Sequence, residues 1–409
     1  MRSVRTARNA MCESLGAEEA NRVLRAHWDN WVTEQLISDL ADRGVEIIRL
    51  PIGDWTLKQY GPYVGCTDGA DDYIQWALDT CETYGIKVLL DVHAVKDSQN
   101  GYDNSGVANR TEWTDEWNFT HWEHAVGEWM GTWDMDAGAY ESINYDNIEW
   151  AKDTIQGLLD RWGSHSALYA IEPVNEPWWS SDLDVLKQFY RDVRNMMRDQ
   201  YPELIFVFHD AFHYDSGLWN DLFDDDDVDN VIMDTHQYLA WWSAQPYIGA
   251  YCDGYNSILQ WAPNFKYPVW VGEWSLATDV CALWLGGFND NNTDYAYECE
   301  WVDCPVSYLP EEYAVDFDRT AATLGPWGSR PQTVQNGKCP RDSAFYSDDD
   351  VMTLGQCLLY ILNDHVAGHF LWTARNELEP KWNYVTAYDN GWIKNTPATE
   401  HATFEALVQ

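Results

Sequence analysis

The sequence predicts an α/β fold of the (β/α)₈ TIM-barrel class, apparently lacking its first strand. Three observations predict it. Short runs that are apolar throughout recur along the chain, as buried parallel strands do. Helical periodicity separates most of them. Nearly every run also ends on a polar, charged or aromatic residue, and in a barrel those ends converge on one mouth.

The predicted strands are Val45–Ile52, Val88–His93, Leu168–Val174, Leu204–His209, Val231–His236, Val269–Gly272 and His369–Trp372. A helix is predicted from Glu18 to Asp42, with Leu24, Trp28, Trp31, Val32, Leu36 and Leu40 on one face and Gly44 as its stop. Further helices are predicted at Asp72–Tyr84, Ile148–Trp162 and Asp184–Tyr201. No strand-like run precedes Glu18. Residues 1–17 therefore read as a disordered or truncated N-terminal remnant. Residues 18–409 read as one catalytic domain, with a polar rim insertion at about 290–350. The acidic runs Asp224–Asp227 and Asp348–Asp350 read as solvated loops, with calcium a weak second reading.

The chain has 409 residues, usual for a barrel with insertions. No run of 18 apolar residues occurs, so no membrane span is expected. The net charge of −42 would repel nucleic acid and anionic membranes. The 25 tryptophans suggest carbohydrate only weakly, since most should be core residues. Of the nine cysteines, five fall between Cys252 and Cys339; one or two disulfides of a secreted protein would account for them, and the odd count leaves one thiol over. Sequons begin at Asn109, Asn118 and Asn291. Met1–Met11 carries arginines but no apolar stretch and is no secretory signal as written. Neither a CxxC pair nor a first-strand HxH pair occurs, so no metal or cofactor is expected.

The chemistry concentrates in two motifs. In Ile171-Glu172-Pro173-Val174-Asn175-Glu176-Pro177, a carboxyl group follows an apolar strand and an Asn precedes it. Glu176 can protonate a glycosidic oxygen, and the Asn175 amide can donate to the sugar 2-hydroxyl. In Val269-Trp270-Val271-Gly272-Glu273-Trp274-Ser275 a second Glu ends another apolar strand. The intervening chain leaves room for three strand–helix units, so the two carboxyls are expected on opposite sides of one mouth. A separation of about 5–5.5 Å would serve a retaining mechanism, with Glu176 as acid/base and Glu273 as nucleophile. Arg49 can hold Glu273 ionised. His93, His236 and Tyr238 can donate to sugar hydroxyls or to Glu273, and Trp372 can floor the sugar.

These residues resemble glycoside hydrolase family 5, in its exo-β-1,3-glucanase branch. The resemblance rests on Arg49-Leu50-Pro51-Ile52-Gly53-Asp54-Trp55, Asp91-Val92-His93 and the loop Ser98-Gln99-Asn100-Gly101-Tyr102-Asp103-Asn104-Ser105-Gly106. Asn175-Glu176-Pro177, His236-Gln237-Tyr238, Glu273-Trp274-Ser275 and Phe370-Leu371-Trp372 follow in the same order, so that the match runs from about Cys12 to Ala398. It implies glucose release from the non-reducing end of a β-1,3-glucan, with retention, by a monomer outside the cell or at its surface. It also implies an aromatic clamp at the pocket entrance, whose positions fall on Tyr102 and Trp241. The family's opening Gly-x-Asn-x-Gly-Gly-Trp strand has no counterpart here, which suggests a chain lacking its true beginning. The family's Trp-Leu-Asn-Gly reads Trp284-Leu285-Gly286-Gly287. Two alternatives stay open: a glucan-binding protein without turnover, and an endo-β-glucanase or transglycosylase.

Overall fold

A computed structural model describes residues 3–5, 7–114, 120–124, 127–134, 137–224, 228–242, 245–278, 347–376 and 380–393. Seven strands form one sheet in sequential order: β1 (Ile47–Gly53), β2 (Lys87–Ala94), β3 (Leu168–Glu172), β4 (Ile205–His209), β5 (Val231–His236), β6 (Val269–Trp274) and β7 (Gly368–Leu371). The pairs from β1 to β5 are parallel. The strands β4, β5 and β6 are buried at every position. That is why each begins in the sequence as a continuous apolar run rather than as an alternation, although β5 closes on Asp234, Thr235 and His236. All seven predicted strands are present, with shifts of one or two residues at most ends.

The chain falls into two compact units. The first comprises Met1–Trp113, Trp122–Thr235 and Pro263–Trp270. It holds α1 (Ala7–Leu15), α2 (Ala17–Trp31), α3 (Glu34–Asp42), α4 (Ala70–Tyr84), α5 (Tyr145–Trp162) and α6 (Leu183–Gln200). The single helix expected over Glu18–Asp42 is two. Val32 is extended (φ −107°, ψ 110°), and the Thr33 hydroxyl caps α3 by accepting the Leu36 N–H at 3.3 Å. A local cap outweighs a continuous apolar stripe here. Thr33 followed by Glu34 was the sequence signal for that start. The segment 1–17 is not without structure. It carries α1, and Cys12 within it is buried and bonded to Cys66.

The second unit comprises Thr114–His121, His236–Ala262 and Val271–Gln409. It holds α7 (Ile248–Leu259) and α8 (Asp348–His365), joined by the Cys252–Cys357 disulfide. Asp348–Asp350 is not a loop but the first turn of α8. Ser347 caps it, and Asp350 returns the bond to the Ser347 N–H at 3.0 Å, forming a capping box. Three carboxylates there also complement the positive end of the helix dipole. Among the described residues no helix is long and apolar enough to cross a membrane. The rim insertion up to residue 346, Cys281, Cys299, Cys304 and Cys339, the sequons at Asn118 and Asn291, Trp284–Gly287 and residues 225–227 lie outside the described residues. Cys81 is a buried free thiol.

A buried acid ties β1 to the loop that follows β2. Asp54 is fully buried, and its carboxyl accepts from the Tyr60 hydroxyl at 2.7 Å and the Lys96 N–H at 2.8 Å. Burial raises its pKa to about 7, against the lowering effect of those hydrogen bonds. The folded value lies above the unfolded one of 3.8, so between about pH 4 and 7 the folded state binds more protons. Asp54 therefore makes stability fall as pH rises through that window, by up to about 1.4 kcal/mol per pH unit. Asp54→Asn is expected to bring the denaturant midpoints at pH 4.5 and pH 7.5 closer together than in the wild type. An unchanged gap would remove Asp54 as the cause.

Candidate active site

In the first unit, Glu176 follows β3 and sits in the left-handed region (φ 43°) that a non-glycine side chain rarely adopts. Such a conformation costs about 1–3 kcal/mol and persists only where the surroundings impose it. The loop from Ser98 to Gly106 imposes it. Asn100 Nδ2 donates to the Glu176 carbonyl at 2.9 Å, and Gln99 Nε2 donates to the Asn175 and His93 carbonyls, both at 2.8 Å. The Trp178 N–H in turn donates to the Gln99 carbonyl at 3.2 Å. Gly127 lets the chain pass close behind: a Cβ there would lie 2.2 Å from the Gln99 backbone. The Glu176 carboxyl is buried, and its Oε2 accepts from Asn104 Nδ2 at 2.7 Å.

Arg49 organises the neighbouring groups. Its Nη2 donates to Asn175 Oδ1 at 2.6 Å and to Glu172 Oε2 at 3.1 Å, and lies 3.1 Å from Asp91 Oδ2. Its Nε donates to the same Glu172 oxygen at 3.2 Å. Two fully buried carboxyl groups thus share one guanidinium, whose planar fork suits that task. The arrangement also fixes the Asn175 amide. Only its oxygen can accept from Arg49, so the buried Nδ2 is turned the other way, and it has no protein partner among the described residues. Asp91 Oδ2 also accepts from His93 Nδ1 at 2.7 Å, which fixes that ring's orientation.

In the second unit, Glu273 is the penultimate residue of β6 and is buried. The Tyr238 hydroxyl donates to Glu273 Oε2 at 2.6 Å, and His236 Nδ1 lies 3.6 Å from the same oxygen. The Gln237 N–H donates to the Glu273 carbonyl at 3.0 Å, which locks the tripeptide His236-Gln237-Tyr238 alongside β6. Tyr238 and Trp372 pack against Ala240, Ala277 and Trp382. Trp241 is 53% exposed, its ring 5.1 Å from Tyr238 and 6.2 Å from Trp382.

A family model described as Cellulase (glycosyl hydrolase family 5) matches residues 12–311. The chain belongs to glycoside hydrolase family 5. Within that family it is similar to the glucan 1,3-beta-glucosidase of Blumeria graminis, 32% identical over 285 residues, covering 67% of this chain and 58% of that protein. It is likewise similar to probable glucan 1,3-beta-glucosidase A of Aspergillus terreus (strain NIH 2624 / FGSC A1156), 32% identical over 286 residues, 67% of this chain and 60% of that protein. The chain thus spans less than two thirds of the length of these curated relatives. In fold it matches the crystal structure of the rutinosidase from Aspergillus niger, with a TM-score of 0.62 at 16% identity, over 95% of this chain and 90% of that one. The sequential parallel strands and the interposed helices are those of a family 5 (β/α) barrel.

Several residues around the two glutamates carry little signal in the sequence. Glu172 and Asp91 are the fully buried carboxyl groups that hold Arg49, yet each looks in sequence like one more polar residue at a strand end. Asn104, the donor to Glu176, is one of several polar residues in the Ser98–Gly106 loop. Phe212 packs on Tyr102 at 6.4 Å and carried no sequence signal. Arg49→Lys keeps the charge but replaces the fork with one ammonium that cannot serve three acceptors. It is expected to cost about 1–3 kcal/mol of stability, measured by denaturant titration. A loss within a few tenths of a kcal/mol would mean that the fork geometry is unimportant.

Proposed function

We propose that this chain is a retaining β-glucosidase that removes glucose from the non-reducing end of a β-1,3-glucan. Glu176 protonates the glycosidic oxygen while the Glu273 carboxylate attacks the anomeric carbon, forming a glycosyl ester and releasing the shortened glucan. Glu176, now ionised, then takes a proton from water, whose oxygen displaces Glu273 and restores the β configuration. Tyr238 holds one Glu273 oxygen and stabilises the carboxylate as it departs. His93, His236 and the clamp positions Tyr102 and Trp241 contact the sugar, with Trp372 beneath it. Arg49 acts through Asn175.

The observation that carries this reading is the orientation of Asn175 beside Glu176. A buried amide N–H group without a protein acceptor is costly unless something fills the position. A sugar 2-hydroxyl is such a partner, and its bond strengthens as the anomeric centre becomes positive. The relatives' names support the glucan linkage. The two disulfides support an oxidising compartment, hence a place outside the cell or at its surface. The charge of −42 favours a neutral substrate over nucleic acid and suits a monomer.

Incubation with laminarin, followed by proton NMR, tests the proposal. β-Glucose is expected as the first product. Longer oligosaccharides without glucose would point to endo action, and α-glucose as the first product would reject retention.

A further inference from the structure

We infer that Trp179, stacked on His213, is a sugar-binding platform for a glucosyl unit on the leaving-group side of the substrate, beyond the clamp. This rests on the assignment of Glu176 as the acid.

Trp179 is 59% exposed, yet its position is fixed. Its indole lies on the His213 imidazole at 5.2 Å between centroids and 24° between planes. His213 Nε2 donates to the Trp179 carbonyl at 2.6 Å; a carbonyl only accepts, so this nitrogen carries the proton. The His213 carbonyl is held in turn by Trp219 Nε1 at 2.9 Å and by the Asp215 N–H at 2.7 Å. The preceding residue, Trp178, packs edge-on against Trp133 at 4.7 Å. One face of the Trp179 ring is therefore backed by a clamped imidazole, and an indole exposed to this degree presents its other face to solvent. A flat apolar surface held still before binding loses little entropy when a ligand settles on it.

The surface has a place in the reaction. Trp179 lies three residues after Glu176 on the same loop, so their Cα atoms are at most about 11 Å apart. Glu176 delivers its proton to the leaving-group oxygen, so its own loop borders the leaving chain. Phe212, next to His213 in the chain, is 39% exposed and packs on Tyr102 at 6.4 Å. The half-buried clamp position Tyr102 thus meets Phe212, which is the chain neighbour of His213 in the His213–Trp179 stack. The ligand chemistry follows. A β-linked glucosyl ring has equatorial hydroxyls and axial C–H groups, so both faces are weakly apolar and match an indole. A negatively charged sugar is disfavoured next to so acidic a protein.

The test compares wild type with Trp179→Ala and His213→Ala on an aryl β-glucoside, laminaribiose and laminaripentaose. Trp179→Ala is expected to raise KM for laminaripentaose about three- to ten-fold with kcat unchanged. The aryl glucoside and laminaribiose should be handled as by wild type. His213→Ala should show a smaller loss of the same kind, because it removes the backing and leaves the indole. An unchanged KM for laminaripentaose, or an equal loss on all three substrates, would overturn the platform. Calorimetric affinity for laminaripentaose gives a readout that does not depend on turnover. If wild type cleaves none of the substrates, the proposed function fails. The platform would still stand if Trp179→Ala weakened pentaose binding, and would fall if it did not.

Discussion

Glu273→Gly is expected to reduce glucose release from β-1,3-glucan by roughly 10⁴–10⁶-fold in kcat, as loss of a covalent nucleophile does. Without that carboxylate no glycosyl ester can form, and water has no activated route to the anomeric carbon from that face. Added azide should then restore turnover of an activated aryl β-glucoside, because a small anion can occupy the space the side chain vacated. It attacks from the nucleophile's face, so the product is the α-glucosyl azide. Proton NMR of the anomeric signal reads this directly. The β-azide from this variant would reverse the two glutamates' roles, and undiminished activity would remove Glu273 from the chemistry. The same variant leaves Tyr238 without its 2.6 Å acceptor, so its fold should be checked by circular dichroism before the kinetics are interpreted.

Glu176→Gln is expected to lower kcat on β-1,3-glucan by about 10²–10⁴-fold, the range for a general acid. A glutamine oxygen can still accept from Asn104 Nδ2, and Asn100 can still hold the backbone carbonyl, so the loop should keep its shape. The loss should depend on the leaving group. A dinitrophenolate departs without a proton, so formation of the glycosyl ester from that aryl glucoside should be nearly unimpaired and its hydrolysis slow. A burst of phenolate followed by slow steady turnover is the expected trace. Azide should then yield the β-glucosyl azide, the opposite anomer to that from Glu273→Gly. Equal losses on glucan and on the dinitrophenyl glucoside would argue that Glu176 is structural.

The strands were legible because burial on both faces leaves no alternation to misread. β4, β5 and β6 are buried throughout, and their apolar runs show it. Glu176 and Glu273 stand out in the sequence as candidates because each follows such a run in a short motif. The break at Val32–Thr33 was not, since the apolar periodicity continues in phase across it and only a single Thr hydroxyl interrupts the helix. Asp348–Asp350 looked like loop because three adjacent acids are hydrophilic. Only the capping box with Ser347 shows that they begin a helix. Cys252 pairs with Cys357, which lies outside the cluster that had suggested bridging, because helix packing chooses partners that spacing cannot.

By itself the sequence determined the strand–helix alternation, and it marked the two candidate carboxylates and the Ser98–Gly106 loop, since each depends on residue type within a few neighbours. Only the tertiary structure decided what those residues are bonded to. It put Glu172, Asp91 and Asn175 around one guanidinium, turned the Asn175 Nδ2 away from it, and held Glu176 at a positive φ through side chains some 70 residues earlier in the chain. Hydrogen-bond direction and backbone strain are properties of groups brought together by folding, and a linear order of residues does not contain them.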